Sequence, residues 1–268
     1  MFIGKHTVAV LRAYATSEGE FPKLARELSF AVATLRGKVA HVRIVVWVNA
    51  CYSADFGGST EYLVNKFAND PFVSVKEAGG DIFVGVLNAS LYDLYDANDT
   101  DGYCGMLVLS ATAHHLLTPR VLEAMDQAIS DGAWAIGVVS PDNPITLQGA
   151  ISNTCAFWDM ATLLNHGGFS GVDRRPLDFD YSVHHQGVAE FVNLFGFGEG
   201  GKGVLAVIVP DVEEGDSRTV VGDEGQREKL ANKERRMRAV LAMFGKTEKD
   251  LQATIMPGYP VDLRSSNG

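Results

Sequence analysis

Residues 42–48 read V-R-I-V-V-W-V, a run interrupted by one charge only. A strand with one wet face alternates apolar and polar side chains, whereas a short, nearly continuous apolar run suits a strand covered on both faces, as in a parallel sheet. Comparable runs recur at residues 7–11 (TVAVL), 103–109 (YCGMLVL), 134–139 (WAIGVV) and 204–209 (VLAVIV), with a shorter one at 72–75. Parallel neighbours cannot be joined by a tight hairpin; they need a crossover, usually a helix.

The intervening segments supply those helices. Residues 21–35 carry Leu24, Leu28, Ala31, Val32 and Leu35 at helical spacing, and Gly37 closes the segment. Residues 61–67 and 83–95 read as further helices, and NDTDG at 98–102 as a turn-rich break. Thr118-Pro119 opens a helix through residue 129, because threonine can cap free N–H groups and proline at the first helical position loses no hydrogen bond; Asp131-Gly132 ends it. The alternation implies βαβ units in an α/β protein, with a mainly parallel central sheet and helices on both faces.

Beyond residue 140 the pattern is less regular. Residues 151–164 look helical and stop at His166-Gly167-Gly168, residues 181–193 read as another helix, and 210–225 form an acidic, exposed segment. Leu230, Met237, Val240, Leu241 and Phe244 make an apolar seam along a charged helix over 228–244. Thr247 and Asp250 match a capping box, and the tail beyond Pro257 reads as loose. The expected organisation is one α/β domain over residues 1–210, with 211–268 an acidic loop and helical extension packed on it.

A net charge of −10 argues against broad binding to nucleic acid or an anionic membrane, since phosphates demand a local excess of Lys and Arg. Cys51, Cys104 and Cys155 are odd in number and widely spaced, so they read as reduced, mostly buried thiols rather than as a zinc or redox set. No apolar stretch approaches the ~18 residues that span a bilayer, and the first residues lack the layout of a secretory signal. The expectation is a cytoplasmic protein.

Several residues carry chemistry. Asp178 and Asp180 could take a proton from a hydroxyl or cap a helix. The pairs His114-His115 and His184-His185 are adjacent in sequence, so the rings of each pair diverge; one ring from each, such as His114 and His184, could meet as metal ligands with Asp178 or Asp180. Residues 196–203 (GFGEGGKG) fit G-x-x-x-x-G-K but end in Gly203 and lead into a strand rather than a helix, which excludes a phosphate-binding Walker loop and leaves a glycine-rich segment carrying Lys202.

The order of these landmarks resembles the family 2 type of GT-A nucleotide-sugar glycosyltransferase over roughly residues 7–210. The segment VAVLRAYAT at 8–16 is similar to the family's nucleotide-binding first strand and loop, VVWVNACYSAD at 45–55 to its second, and Gly85 and Asn88 to a Gly and Asn of the helix that follows. NHGGF at 165–169 resembles the loop beside the acceptor, and LDFDYSVHHQG at 177–187 the acidic segment after it. The resemblance implies a Rossmann-like GT-A fold and a sugar moved from a nucleoside diphosphate to a hydroxyl acceptor. Arg12, Ala13, Tyr14, Asn49, Asn88, Ser110, Thr112 and Lys202 would then hold the donor, Gly167, Gly168 and Phe169 would form the acceptor loop, and Asp178 would be the base. The chain departs from the family at Ser110-Ala111-Thr112, which stands where the family has Asp-x-Asp. A divalent cation wants hard anionic oxygens, so manganese or magnesium is not supported by this motif, and Lys202, Arg174, Arg175 or His184 could neutralise the diphosphate instead. A catalytically inactive relative that binds a nucleotide or a protein partner is the alternative, and an unrelated doubly wound α/β protein a third.

Overall fold

The computed structural model describes residues 2–13, 20–48, 59–79, 83–139, 154–165, 167–169, 203–211, 231, 235, 238–239, 241–242 and 245–266. Its strands are β1 (Thr7–Ala13), β2 (His41–Val48), β3 (Val73–Gly79), β4 (Gly105–Leu109), β5 (Ala135–Val138), β6 (Cys155–Asp159), β7 (Leu205–Val209) and β8 (Val261–Asp262). They hydrogen-bond in the order β3-β2-β1-β4-β6-β5-β7-β8. The pairs β1–β2, β1–β4, β2–β3, β5–β7 and β7–β8 are all parallel. The helices are α1 (Ile3–His6), α2 (Phe21–Leu35), α3 (Ser59–Phe67), α4 (Phe83–Asp101), α5 (Pro119–Ser130), α6 (Met160–Asn165) and α7 (Glu248–Gln252), with 3-10 helices at Ala111–Leu116 and Leu263–Ser266. This is the Rossmann-like α/β class expected from the alternating runs.

The chain divides into two compact units, Met1–His115 with Phe157–Gly168, and Leu116–Ala156 with Phe169–Gly268. In the first unit, every residue of β1 and β4 is buried, as a strand covered on both faces requires. The single charge in the β2 run, Arg43, is only 8% exposed; its guanidinium is ion-paired with Asp93 of α4, and its Nε donates to Ser74 Oγ at 3.3 Å. Helix α2 buries Leu28, Ala31, Val32 and Leu35 of the expected face, with Ala25 buried in place of half-buried Leu24, and Gly37 follows at φ 78°, a left-handed conformation that glycine adopts without strain.

At the start of β3, Asp70 accepts from the Arg36 guanidinium and from the Phe72 N–H at 3.1 Å, while Arg36 sits over the Phe72 ring. The Arg36 hydrogen bond is the main reason the Asp70 carboxyl is held below its ordinary value of 3.8. A depressed carboxyl contributes stability that is fully present above the ordinary value and lost as pH falls through the folded-state value. The Asp70→Asn variant is therefore expected to melt below the parent at neutral pH and to converge with it in acid. Melting curves across pH check this; a neutral-pH difference that persists unchanged into strong acid would contradict it.

In the second unit, the Thr118 side chain accepts from Val121 N, the cap expected of Thr118-Pro119, and Gly132 ends α5 at φ 99°. At α7, Asp250 accepts from both the Thr247 N–H and its hydroxyl, at 2.7 and 2.8 Å, as the capping-box spacing anticipates.

Three sequence expectations need correction. Helix α4 runs on to Asp101 instead of breaking at residue 98, because the stop is Gly102 at φ 71°. Residues 155–159 form strand β6 rather than the middle of a helix, and among the described residues of that segment only Met160–Asn165 is helical, started by Asp159 accepting from Thr162 N at 2.7 Å. The chain beyond Pro257 is not loose: β8 pairs with β7, and Arg120 donates to Leu263 O at 3.2 Å. The helices expected over 181–193 and most of 228–244 lie outside the described residues; Leu241, from the apolar seam, is buried.

Candidate functional site

Within the first unit the chain moves from β1 outward to β2 and β3, then returns so that β4 pairs with the other edge of β1. The connections leaving β1 and entering β4 therefore run to opposite sides of β1. In an open parallel sheet, this reversal leaves a crevice beyond the carboxyl ends of the two central strands, where ligands of such folds bind. The register places specific residues there. Leu11 is opposite Leu109, so the next residues, Arg12 and Ser110, reach the same level, and Arg12 and Ala13 are opposite Val45 and Val46 of β2.

Strand β1 extends two residues beyond the apolar run that marks it, so Arg12 and Ala13 belong to its end rather than to a loop. Arg12, at the carboxyl end of β1, is 9% exposed.

On the β4 side, Ser110 leads into the 3-10 helix Ala111–Leu116. Its hydroxyl is 3.0 Å from that of Thr112. The His114 ring donates from Nδ1 to Ala111 O at 2.6 Å and the His115 ring from Nδ1 to Thr112 O at 3.0 Å; a carbonyl only accepts, so Nδ1 carries the proton in both. The two rings lie 6.2 Å apart with planes at 84°, the divergence expected of adjacent residues.

A 3-10 helix has three residues per turn, so positions i and i+3 eclipse. His114 accordingly lies above buried Ala111, Ala113 is paired with buried Leu116, and His115 shares the face of exposed Thr112. The sequence reading favoured His114; in the structure His115 bonds to the Thr112 carbonyl and His114 to that of Ala111. No periodicity in SATAHHL announces a turn this short, which is why the sequence does not reveal it.

Asn88 and the Gly167-Gly168 turn come together on α4 and the end of α6. Gly167 and Gly168 have φ of 87° and 80°, and a β-carbon on Gly168 would sit 2.7 Å from Asn88 Oδ1, so glycine is required on both counts. Tyr92 donates to Gly167 O at 3.5 Å. Phe169 is 2% exposed, which makes it a packing residue. Tyr14, Asn49, Asp178, Asp180, His184 and Lys202 lie outside the described residues, as do Arg174 and Arg175.

Among the described residues no group of three or more His, Cys, Asp or Glu side chains is placed to hold a metal ion, and no helix is long and apolar enough to cross a membrane. Cys104 and Cys155 are free thiols. Burial pushes the Cys155 thiol up to about 12, and burial followed by the Asp159 charge raises Cys104, so neither offers a thiolate at neutral pH. Cys51 lies outside the described residues.

No family model and no curated protein matches this sequence. Among solved structures, the chain is similar to a cytidylyltransferase from Leptospira borgpetersenii serovar Hardjo-bovis (strain JB197), with 14% identity, 60% of this chain and 62% of that chain covered, and a TM-score of 0.37. It is similar to 4-diphosphocytidyl-2C-methyl-D-erythritol synthase from Anaerococcus prevotii DSM 20548, with 10% identity, 85% and 98% covered, and a TM-score of 0.44. A further structure of a 4-diphosphocytidyl-2C-methyl-D-erythritol synthase gives 14% identity, 85% and 98% covered, and a TM-score of 0.45.

Proposed function

We propose that this chain binds a nucleoside diphosphate or its sugar derivative in the crevice at the carboxyl ends of β1 and β4, and that it transfers the sugar to a hydroxyl acceptor. The observation that carries the reading is the reversal of strand order between β1 and β4, with Arg12 at the carboxyl end of β1. A guanidinium there can form two parallel hydrogen bonds to phosphate oxygens.

In the transfer step the acceptor oxygen bonds to the sugar's anomeric carbon as the bond from that carbon to the diphosphate oxygen breaks. The diphosphate leaves with the electron pair and is stabilised by Arg12, and the acceptor's proton passes to a carboxylate, the role assigned to Asp178. The hydrogen-bonded Ser110–Thr112 pair, uncharged where the glycosyltransferases have acidic residues, favours a second reading in which the protein binds the nucleotide without turning it over. Turnover that disappears in Asp178→Asn would exclude that second reading.

Binding is tested by calorimetric titration with UDP, GDP and CDP, with and without EDTA. Ser110 and Thr112 add no negative charge to hold a cation against the phosphates, so chelation is expected to change affinity little. Arg12→Gln is expected to weaken binding by about tenfold to a hundredfold, the value of one charge-assisted hydrogen-bonded contact. Absence of binding across the panel, or unchanged affinity in Arg12→Gln, would refute the reading.

A further inference from the structure

Strands β1, β2 and β3 step in one direction across the sheet, so their right-handed crossovers place α2 and α3 side by side on one face, while α4, whose connection runs back to β4, takes the other. The two helices touch through the Phe21 and Tyr62 rings, whose centroids are 5.4 Å apart with planes at 84°. Both belong to the first unit. Helix α2 turns its apolar stripe inward. With 3.6 residues per turn, Lys23, Arg26, Phe30 and Ala33 fall within an arc of about 80° on the opposite side, and all four are exposed.

That outer arc carries two cations and no carboxylate; Glu27, the acidic residue nearest to it, is half-buried at its edge. Among the described residues neither Lys23 nor Arg26 has an ion-pair or hydrogen-bond partner. Phe30, on the side away from the core, is 55% exposed. On α3 the Tyr62 ring is 49% exposed and Lys66 Nζ stands 5.7 Å from its centroid, while exposed Glu61 lies about 100° round the helix from Tyr62. Of the large apolar or aromatic side chains exposed among the described residues, Phe30, Tyr62 and Val64 are on these two helices, and only Tyr92 and Tyr95 are elsewhere. A single exposed apolar residue is ordinary. Rings set among cations, on a chain of net charge −10, make a surface unlike the rest of the molecule.

We infer that the outer faces of α2 and α3 dock a short acidic segment of a partner protein, its carboxylates against Lys23, Arg26 and Lys66 and an apolar side chain against Phe30. Charge complementarity selects this occupant. A second copy related by a two-fold axis would set the same patch against itself and bring cation against cation. An anionic bilayer or a nucleic acid presents a broad charged surface, which also meets the acidic remainder of the chain and demands more Lys and Arg than these three. A short peptide meets only the charges within about 8 Å, the screening length at physiological salt, so the local cations decide its binding. Tyr62 lies beside Phe21, nine positions before Phe30, and nine residues of helix are about 14 Å long, a span that about four or five extended residues cover. The docking surface does not depend on a nucleotide at the ends of β1 and β4.

Fluorescence anisotropy on the full chain tests this with a labelled twelve-residue peptide of glutamates carrying leucine at every fourth position, a matched peptide with glutamine for glutamate, and vesicles of phosphatidylserine and phosphatidylcholine. The acidic peptide is expected to bind saturably, at least about tenfold more tightly than the neutral one, and to lose affinity as salt is raised. Phe30→Ala is expected to weaken it by about tenfold or more, as truncation of a central apolar anchor does, and the double variant Lys23→Glu, Arg26→Glu by at least as much. The substituted side chains are all exposed, so the melting midpoints are expected to stay within about 2 °C of the parent.

Tyr95→Ala, which removes an exposed ring from α4 on the other face of the sheet, serves as the control and is expected to bind the peptide as the parent does. No saturable binding of the acidic peptide, equal affinity for the neutral one, or an affinity that Phe30→Ala and the charge-reversed double variant leave unchanged overturns the inference. So does Phe30-dependent binding to the vesicles without binding to the peptide, which would make the occupant a membrane. A dimer in sedimentation that Phe30→Ala dissolves would make the occupant a second copy and overturns it equally.

Discussion

Gly105→Ala is expected to destabilise the protein by about 3 kcal/mol, the upper part of the usual range for overpacking a filled core. A β-carbon built on Gly105 would lie 2.3 Å from Phe157 Cε2, 2.9 Å from its Cζ and 2.7 Å from Thr7 Oγ1. Such contacts lie inside the van der Waals limit, so one of the three residues must move. None has room: Thr7 is fully buried on β1, Phe157 is 1% exposed, and the β4 backbone is held in register against β1, with Thr7 opposite Gly105. In a thermal melt each kcal/mol shifts the midpoint of a chain of roughly this size by about 2–4 °C, so a drop of about 6–12 °C is expected. The clash is pairwise, so the added cost of Gly105→Ala should be smaller in a Phe157→Leu background than in the parent. A midpoint within about 2 °C of the parent, a change below 1 kcal/mol, would show that the close approach of β4 to Phe157 is wrong.

Trp158→Ala should cost about 3–5 kcal/mol, the range for deleting a fully buried large aromatic side chain. Trp158 is 0% exposed on β6, in a strand whose first four residues, Cys155, Ala156, Phe157 and Trp158, are all buried. Truncation leaves a cavity that strand backbones can close only by breaking their hydrogen bonds, so little relaxation is available. Trp158→Phe retains most of the volume and is expected to cost roughly half as much or less. Chemical denaturation measures both; a Trp158→Ala loss below about 1 kcal/mol would mean that the side chain lies on the surface, as the outer face of a helix would place it.

Trp158 also marks where the sequence misleads. Residues 151–164 contain enough apolar residues to read as one helix, yet residues 155–159 make a strand and, among the described residues, the winding starts at Met160. Periodicity cannot separate a fully buried strand from a buried helix when the run is short. The local signal that separates them is Asp159, whose side chain accepts from Thr162 N and so starts the helix after the strand. A similar reason explains the end of α4: polar residues at 98–101 look like a turn, but they complete a last helical turn that Gly102 terminates. Strand β8 has two residues, too few to announce themselves, and is recognised only because β7 offers it an edge.

The sheet was legible where burial on both faces leaves a continuous apolar run, as in β1, β2, β4 and β7. The resemblance singled out Arg12, Ala13, Ser110 and Thr112 beside those runs, and the register of β1 against β4 brings Arg12 and Ser110 to one level. Asn88 and Gly168 were singled out separately, and the structure sets them against each other. His115 was not legible, because its place depends on a two-turn 3-10 helix. The assignments to Tyr14, Asn49, Asp178, Asp180, His184 and Lys202 rest on the sequence alone.

The central claim is that the crevice at the ends of β1 and β4 receives a nucleotide through Arg12. The most direct measurement is a crystal structure of the full chain soaked with UDP and, separately, with UDP-glucose, in the presence of EDTA. The account predicts diphosphate oxygens within hydrogen-bonding distance of the Arg12 guanidinium. A nucleotide seated away from the ends of β1 and β4, or a crevice that stays empty at saturating ligand, would contradict it.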